Sequence, residues 1–282
     1  MQQIDTIAAL RAQRALWRQK NESLAFVPTM GNLHDGHLAL VEQAKTHAER
    51  VLVSIFVNPL QFGANEDLDR YPRTLQADLE KLKGLGVDAV FTPAVSEVYP
   101  RGLEAQTVVS VPGLSSILCG AKRPGHFEGV TTVVSKLFNM VQPDAALFGK
   151  KDYQQLQVIR FMAHDLCMPI KIIGVETQRE KSGLALSSRN GYLTAQERQQ
   201  AAIIYRSLQE ISLAIENGES ITVATEKALA EWYHAGLTPD YLEVKRLSDL
   251  QTPTEKDHDL IVLAAAYIGT TRLIDNLSAT RK

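Results

Sequence analysis

The chain has 282 residues, of which 45% are hydrophobic, 22% charged and 6% aromatic. That composition excludes whole-chain disorder and fits one large or two smaller domains with a substantial core. Thirty Lys plus Arg against 32 Asp plus Glu leave a formal charge of −2, which excludes the electrostatic footprint of a general nucleic-acid binder.

The N-terminal segment MQQIDTIAALRAQRALWRQK carries scattered charges and no uninterrupted apolar core, so it does not read as a secretory signal. It reads as a helix, with Ile4, Ile7, Leu10, Arg11 and Arg14 spaced for two faces. Leu24–Pro28 is a short apolar strand ending in the turn-prone stretch Thr29–Gly36. A helix follows at Leu38–Glu49, with Leu38, Val41, Ala44 and Ala48 on one face and His47 on a solvated one. Val51–Val57 is rich in β-branched residues and reads as a buried strand. A long polar stretch, Asn58–Thr74, leads to a helix at Gln76–Leu85 and a strand at Val87–Thr92. Then come helix Val130–Val141, strand Ala145–Phe148, helix Tyr153–Leu166 and strand Ile170–Val175. This rhythm predicts an α/β fold, a Rossmann-like parallel sheet with helices on both faces, over residues 1–176.

The pattern changes after residue 176. A loop at Glu180–Tyr192 precedes helical stretches at Thr194–Glu216 and Ser220–Ala235. Strands at Tyr241–Arg246 and Leu260–Tyr267, with an added edge at Arg272–Asp275, predict a smaller α+β domain over residues 177–282. No apolar run approaches the roughly 18–20 residues that cross a bilayer, so no membrane partner is expected. Cys119 and Cys167 cannot make a zinc site alone and read as free thiols of a cytoplasmic protein.

The strongest local signal is Thr29-Met30-Gly31-Asn32-Leu33-His34-Asp35-Gly36-His37, between the strand at Leu24–Pro28 and the next helix. In a parallel sheet that is the carboxyl end of a strand, where ligands bind. A helix N-terminus with free N–H groups suits a phosphate, and His34 and His37 add donors where charge grows on a phosphoryl group. Two other readings stand beside this one: a glycine-rich turn with two half-exposed histidines, and a metal pair. The metal pair ranks lowest, because no His-Glu-x-x-His pattern or third ligand accompanies it. Gln61 and Gln155 each follow a strand and can line the same crevice, and a glutamine amide can hold both a hydroxyl and a carboxylate. Phe148-Gly149-Lys150-Lys151-Asp152 also follows a strand and opens a helix. Lys151 there offers a point charge for phosphate, and Asp152 either accepts from a ribose hydroxyl or caps the helix.

His34-Asp35-Gly36-His37 resembles the His-x-Gly-His signature of the nucleotidylyltransferase superfamily. The strings PTMGNLHDGH, SIFVNPLQF, RPGHFEGV, FGKKDYQQL and LALSSRNGYL together are similar to those of the pantoate–β-alanine ligase (pantothenate synthetase) family. The matching blocks lie between residues 27 and 193, and the likeness is weaker in the C-terminal third. It implies two half-reactions. Pantoate's carboxylate attacks the α-phosphorus of ATP, giving pantoyl adenylate and pyrophosphate; the β-alanine amine then attacks the acyl carbon, giving pantothenate and AMP.

The resemblance also implies the site. ATP falls to Met30, Gly31, Asn32, Leu33, His34, Asp35, Gly36, His37, Gly149, Lys150, Lys151, Asp152, Gln178, Leu186, Ser187, Ser188 and Arg189. Catalysis falls to His34, His37, Lys151 and Arg189. Pantoate falls to Gln61 and Gln155, and β-alanine to Gln61. Mg²⁺ rides on the ATP phosphates without direct protein ligands. The chain departs from the family at Lys150, where Glu is usual, and at Gln178, where many relatives are apolar; backbone contacts are what remain at both. Arg123 reads equally as a residue for substrate or interface positioning and as a surface loop arginine. Asp78 could help organise Mg²⁺ through water but reads foremost as a solvated helix residue. The implied partners are ATP, pantoate and β-alanine, with a homodimer as the assembly and the 177–282 domain closing over the nucleotide. A nucleotidylyltransferase that stops after AMP transfer and a non-enzymatic nucleotide sensor are the competing readings.

Overall fold

In a computed structural model the described residues are 1–63 and 68–282. The polar stretch Asn58–Thr74 runs through 64–67, which lie outside the described residues. Two compact units form: Met1–Gly149 with Gln155–Val175, and Lys150–Gln154 with Glu176–Lys282.

The first unit contains strands β1 (Gln2–Ile4), β2 (Leu24–Thr29), β3 (Arg50–Ile55), β4 (Ala89–Phe91), β5 (Ala145–Gly149) and β6 (Lys171–Val175). Its helices are α1 (Ile7–Gln19), α2 (Asp35–Ala44), α3 (Leu75–Gly84), α4 (Val95–Val98), α5 (Cys119–Lys122) and α6 (His126–Val141), and most of α7 (Tyr153–Asp165). The strands form one sheet in the order β1-β4-β3-β2-β5-β6, and every pair is parallel. Ala25, Val27, Val51, Val53, Val90 and Leu147 point to one face, where they pack with Leu40, Val41 and Ala44 of α2 and Leu82 of α3. On the other face Phe26 meets Phe138 of α6 edge-on, with ring centres 6.4 Å apart. Strands buried on both faces have no polar side to show, which is why β2 and β3 read as continuous apolar runs. The expected parallel sheet with helices on both faces is therefore present.

Three expectations need correction here. Ile4 belongs to β1, a three-residue strand along β4, and the helix starts only after Thr6, whose hydroxyl accepts from the Ala9 N–H. So short an edge strand has no alternation to read. His47 lies in an exposed turn, because α2 ends at Ala44. Asp78 is fully buried rather than solvated, for reasons given with the site.

The second unit has helices α8 (Ala195–Ala201), α9 (Ile203–Glu216) and α10 (Ile221–His234), and strands β7 (Thr238–Arg246), β8 (Asp259–Ile268) and β9 (Thr271–Thr280). The single helix expected over Thr194–Glu216 breaks at Ala202. Thr194 and Glu197 cap α8 reciprocally. The strands form an antiparallel sheet with β8 in the middle, and β9 is ten residues long where only a short edge was expected. Its core gathers Ile204, Leu208 and Ile211 of α9, Trp232 of α10, and Leu260, Val262 and Ala264 of β8. The buried Trp232 indole N–H is satisfied by Ser207 Oγ at 2.9 Å.

The segment Lys150–Gln154, expected with the first domain, groups with the second unit. Its ties lie there: Tyr153 Oη donates to the Leu247 carbonyl at 3.1 Å, and the Asn276 amide donates to the carbonyls of Lys150 and Lys151. Among the described residues no helix is long and apolar enough to cross a membrane.

Candidate active site

The strand order reverses direction at β2: the chain proceeds to β3 and β4 on one side and to β5 and β6 on the other. Such a switch point opens a crevice at the strand carboxyl ends. The loop after β2 carries Met30–His37, the turn after β3 carries Gln61, and the helix after β5 carries Gln155, so three predicted segments come from three adjacent strands.

The loop after β2 is held by a carboxylate. Asp78, fully buried on α3, accepts the Asn32 N–H through Oδ2 and the Leu33 N–H through Oδ1, both at 2.8 Å. Thr74 Oγ1 adds a third bond at 3.2 Å, and Lys81 Nζ donates to the Leu33 carbonyl at 2.6 Å. A carboxylate accepting backbone N–H groups fixes the loop and leaves little lone-pair capacity for anything else. Gly31 has φ +83°, and a Cβ there would sit 3.2 Å from Asp78 Oδ2 and 3.1 Å from Ile55. Glycine thus lets the loop pass over the carboxylate.

The two histidines cap α2 together. His34 Nδ1 accepts the Gly36 N–H at 3.1 Å, and His37 Nδ1 accepts the His34 N–H at 3.4 Å. The rings lie 4.2 Å apart at 44°. A ring nitrogen that accepts from a backbone N–H uses its lone pair there, so in this geometry Nδ1 of each ring serves the cap and Nε2 points away from it. The helix N-terminus therefore carries two imidazole rings beside its own backbone N–H groups.

Gln61 sits in a 3-10 turn, Pro59–Gln61, and its amide is oriented by its neighbours. Asn58, almost fully buried, accepts from Tyr99 Oη at 2.7 Å and from the Leu60 N–H at 3.3 Å. Its Nδ2 donates to the Gly129 carbonyl at 3.1 Å and to Gln61 Oε1 at 3.2 Å. Backbone groups have fixed polarity, so Asn58 has one possible orientation and Gln61 must turn its oxygen towards it. Gln61 Nε2 is left facing Met30, 3.0 Å from the sulfur. Below the turn, α6 comes so close at Gly129 that a Cβ would lie 2.3 Å from the Leu60 carbonyl oxygen. The Gln61 carbonyl meets His126 Nδ1 at 2.8 Å and Arg123 at 3.4 Å. Arg123 thus touches the turn that carries Gln61. Burial pushes the Tyr99 phenol far above its ordinary range, so it remains a donor to Asn58.

The other predicted residues are placed as follows. Gly149 ends β5, and Lys150, Lys151 and Asp152 form a 3-10 turn leading into α7. Lys150 Nζ ion-pairs with Glu176, which occupies the side chain for which no nucleotide role was expected. Gln178 is exposed, and its carbonyl accepts the Leu186 N–H at 2.9 Å. Ser187 Oγ accepts the Arg189 N–H at 3.2 Å and caps the 3-10 helix Ser188–Tyr192. Among the described residues no group of three or more His, Cys, Asp or Glu is placed to hold a metal ion.

Sequence reasoning missed Asn58, Tyr99, Gly129 and Asn276. Asn58 stood inside a recognised string and could have been singled out for its position beside Gln61. Gly129 also stood inside a recognised string, RPGHFEGV, but like Tyr99 and Asn276 it meets its partner only through long-range packing.

The Pantoate-beta-alanine ligase family model matches residues 2–278. A pantothenate synthetase of Idiomarina loihiensis is 56% identical over 99% of this chain and 98% of its own length. One of Alteromonas mediterranea is 56% identical over the whole of both chains. Among solved structures, a pantothenate synthetase of Thermus thermophilus aligns with a TM-score of 0.92 at 44% identity, covering 98% of this chain and 99% of its own. The pantoate-beta-alanine ligase of Francisella tularensis, solved with beta-gamma ATP and beta-alanine, aligns with a TM-score of 0.80 at 35% identity, covering 98% and 97%.

Proposed function

The chain belongs to the pantoate–β-alanine ligase family, and from that membership we propose how its residues divide the work. The reaction is the ATP-dependent condensation of pantoate with β-alanine to pantothenate, AMP and pyrophosphate, through pantoyl adenylate.

The observation that carries the division is the paired cap of α2. Two imidazoles held by their Nδ1 atoms at the start of a helix place ring N–H groups where negative charge builds on the phosphoryl oxygens, and a donor held there strengthens its bond as that charge grows. In this reading Met30–His37, Gly149–Asp152, Gln178 and Leu186–Arg189 bind ATP, with backbone contacts only at Lys150 and Gln178. His34, His37, Lys151 and Arg189 stabilise adenylate formation and the departing pyrophosphate. Gln61 and Gln155 hold pantoate, and Gln61 also lies beside β-alanine. The Asn58 contact makes Gln61 a donor towards the substrate, which suits a carboxylate or hydroxyl oxygen as its partner.

Mg²⁺ enters as part of the nucleotide substrate. Asp78 does not suit direct ligation, because its oxygens are engaged by Asn32, Leu33 and Thr74. Family membership is the ground for proposing a homodimer, and dependence on ATP the ground for a cytoplasmic location.

The test is a single-turnover assay. ATP, Mg²⁺ and pantoate are expected to release pyrophosphate in a burst without β-alanine, and AMP only when the amine is added. His34→Ala and His37→Ala should each slow the burst roughly 100–1000-fold, as loss of one charge-stabilising donor does. His47→Ala should leave it unchanged. Pyrophosphate and AMP appearing only together would overturn the two-step order, and equal losses at all three histidines would point to misfolding.

A further inference from the structure

The Lys150–Asp152 turn is held from the far end of the second unit. Asn276 lies on β9, and its Nδ2 donates one hydrogen to the Lys150 carbonyl at 2.9 Å and the other to the Lys151 carbonyl at 2.8 Å. Carbonyl oxygens only accept, so the amide has a single orientation and both its hydrogens are committed to this turn.

Asn276 is itself braced. Its backbone N–H donates to Asp275 Oδ1 at 2.8 Å. The Asp275 carboxylate, 5% exposed, is gripped through both oxygens by Arg179, at 2.5 and 2.9 Å. Arg179 stacks on the Tyr205 ring at 3.6 Å and donates to the Gly183 carbonyl at 3.1 Å. It also forms a β-bridge with Ala185, and the Leu186 N–H next to it bonds the Gln178 carbonyl. One cluster, Arg179–Asp275–Asn276, therefore anchors both the Lys150–Asp152 turn and the strand that leads into Leu186–Arg189.

We propose that Asn276 is a positioning residue for adenylate formation, acting through Lys151 by fixing the backbone from which that side chain extends to phosphate. The inference rests on the assignment of Lys151 to phosphate made above. Effective electrostatic stabilisation needs donors held in place before the reaction rather than recruited during it. A long, flexible lysine gains such definition only from its backbone, and Asn276 supplies it at two consecutive carbonyls.

The test is a double-mutant cycle in the full-length enzyme, read as the single-turnover rate of pyrophosphate release. Asn276→Asp keeps the side-chain shape and turns a double donor into an acceptor facing two carbonyls. Loss of two hydrogen bonds of ordinary net strength predicts a rate roughly tenfold to a hundredfold lower. Pantoate KM should be unchanged. Lys151→Ala should be slow by itself, and adding Asn276→Asp to it should cost less than about a further twofold, because residues acting through one another are not additive. Should Asn276→Asp fail to melt cooperatively, Asn276→Ala completes the same cycle with no introduced charge. If Lys151→Ala is slow while the Asn276 variant is not, or if the double variant shows the product of both losses, the positioning role is refuted and the phosphate assignment stands. If Lys151→Ala keeps the wild-type rate, the phosphate assignment fails, and positioning through Lys151 fails with it.

Discussion

Tyr99 holds the outermost place in the hydrogen-bond chain that ends at Gln61. Its hydroxyl donates to Asn58, which donates to Gln61, so the orientation that the Leu60 N–H and the Gly129 carbonyl impose on Asn58 is passed to both side chains. Removing that donor in Tyr99→Phe leaves Asn58 Oδ1 with the Leu60 N–H alone and should cost about 1 kcal/mol near neutral pH. The alkaline behaviour distinguishes this tyrosine from others. Burial raises its folded-state pKa, so above the ordinary value of about 10 the unfolded chain releases a proton that the folded chain keeps. Stability is therefore full below that pH and lost as pH rises beyond it. Thermal melts across the alkaline range should show a steeper decline for the wild type than for Tyr99→Phe, and parallel declines would refute the role of burial. Asp78 teaches the complementary lesson. Its sequence context suggested a solvated helix residue, and only the fold supplies the loop N–H groups that make burial of a carboxylate favourable.

Packing of α6 against the turn after β3 decides where Gln61 stands. Gly129 allows the contact, and a methyl group there would lie 2.3 Å from the Leu60 oxygen and 2.7 Å from the Gln61 Cα. Gly129→Ala should destabilise the fold by about 1–3 kcal/mol, the usual range for overpacking. It should also raise the pantoate KM while ATP affinity stays near wild type; equal losses of both would mean the helix rather than the turn had moved. Elements of this kind show what the sequence could reveal. β2, β3 and β5 were legible because burial on both faces demands unbroken apolar runs. The loop after β2 was legible because its glycines and histidines are contiguous. β1 was not, being three residues long, and β9 was read as four residues instead of ten because Asp275 and Asn276 interrupt its apolar pattern. The Asp275 side chain is held by Arg179 and the Asn276 side chain by the Lys150 and Lys151 carbonyls, so residues selected for these bonds mask the strand.

At the scale of the molecule, each unit has its own core and its own tryptophan: Trp17 in the first and Trp232 in the second. The chain has two tryptophans in all, so Trp17→Phe and Trp232→Phe variants each report on one unit. Separate cores predict separate denaturant transitions. Leu208, fully buried beside Trp232, provides the test. Leu208→Ala should cost about 2–5 kcal/mol, lowering the midpoint reported by Trp232 and leaving that reported by Trp17 in place. Coincident shifts in both signals would show that the units unfold as one. Near residue 176 the sequence shows a change of rhythm. The transfer of Lys150–Gln154 to the second unit was not legible, because it depends on bonds to Leu247 and Asn276.

Those bonds also impose an order in time. On the ribosome the Lys150–Asp152 turn is made long before its partner: the amide that donates to the Lys150 carbonyl comes 126 residues later. The parallel strands β2, β3 and β5 can pair while β9 has yet to be synthesised. A nascent chain thus contains the strands of its sheet and its histidine pair early, yet lacks the support of its lysine turn until β9 emerges. The order of synthesis thus leaves the turn without its anchor until the strand that carries Asn276 has been made.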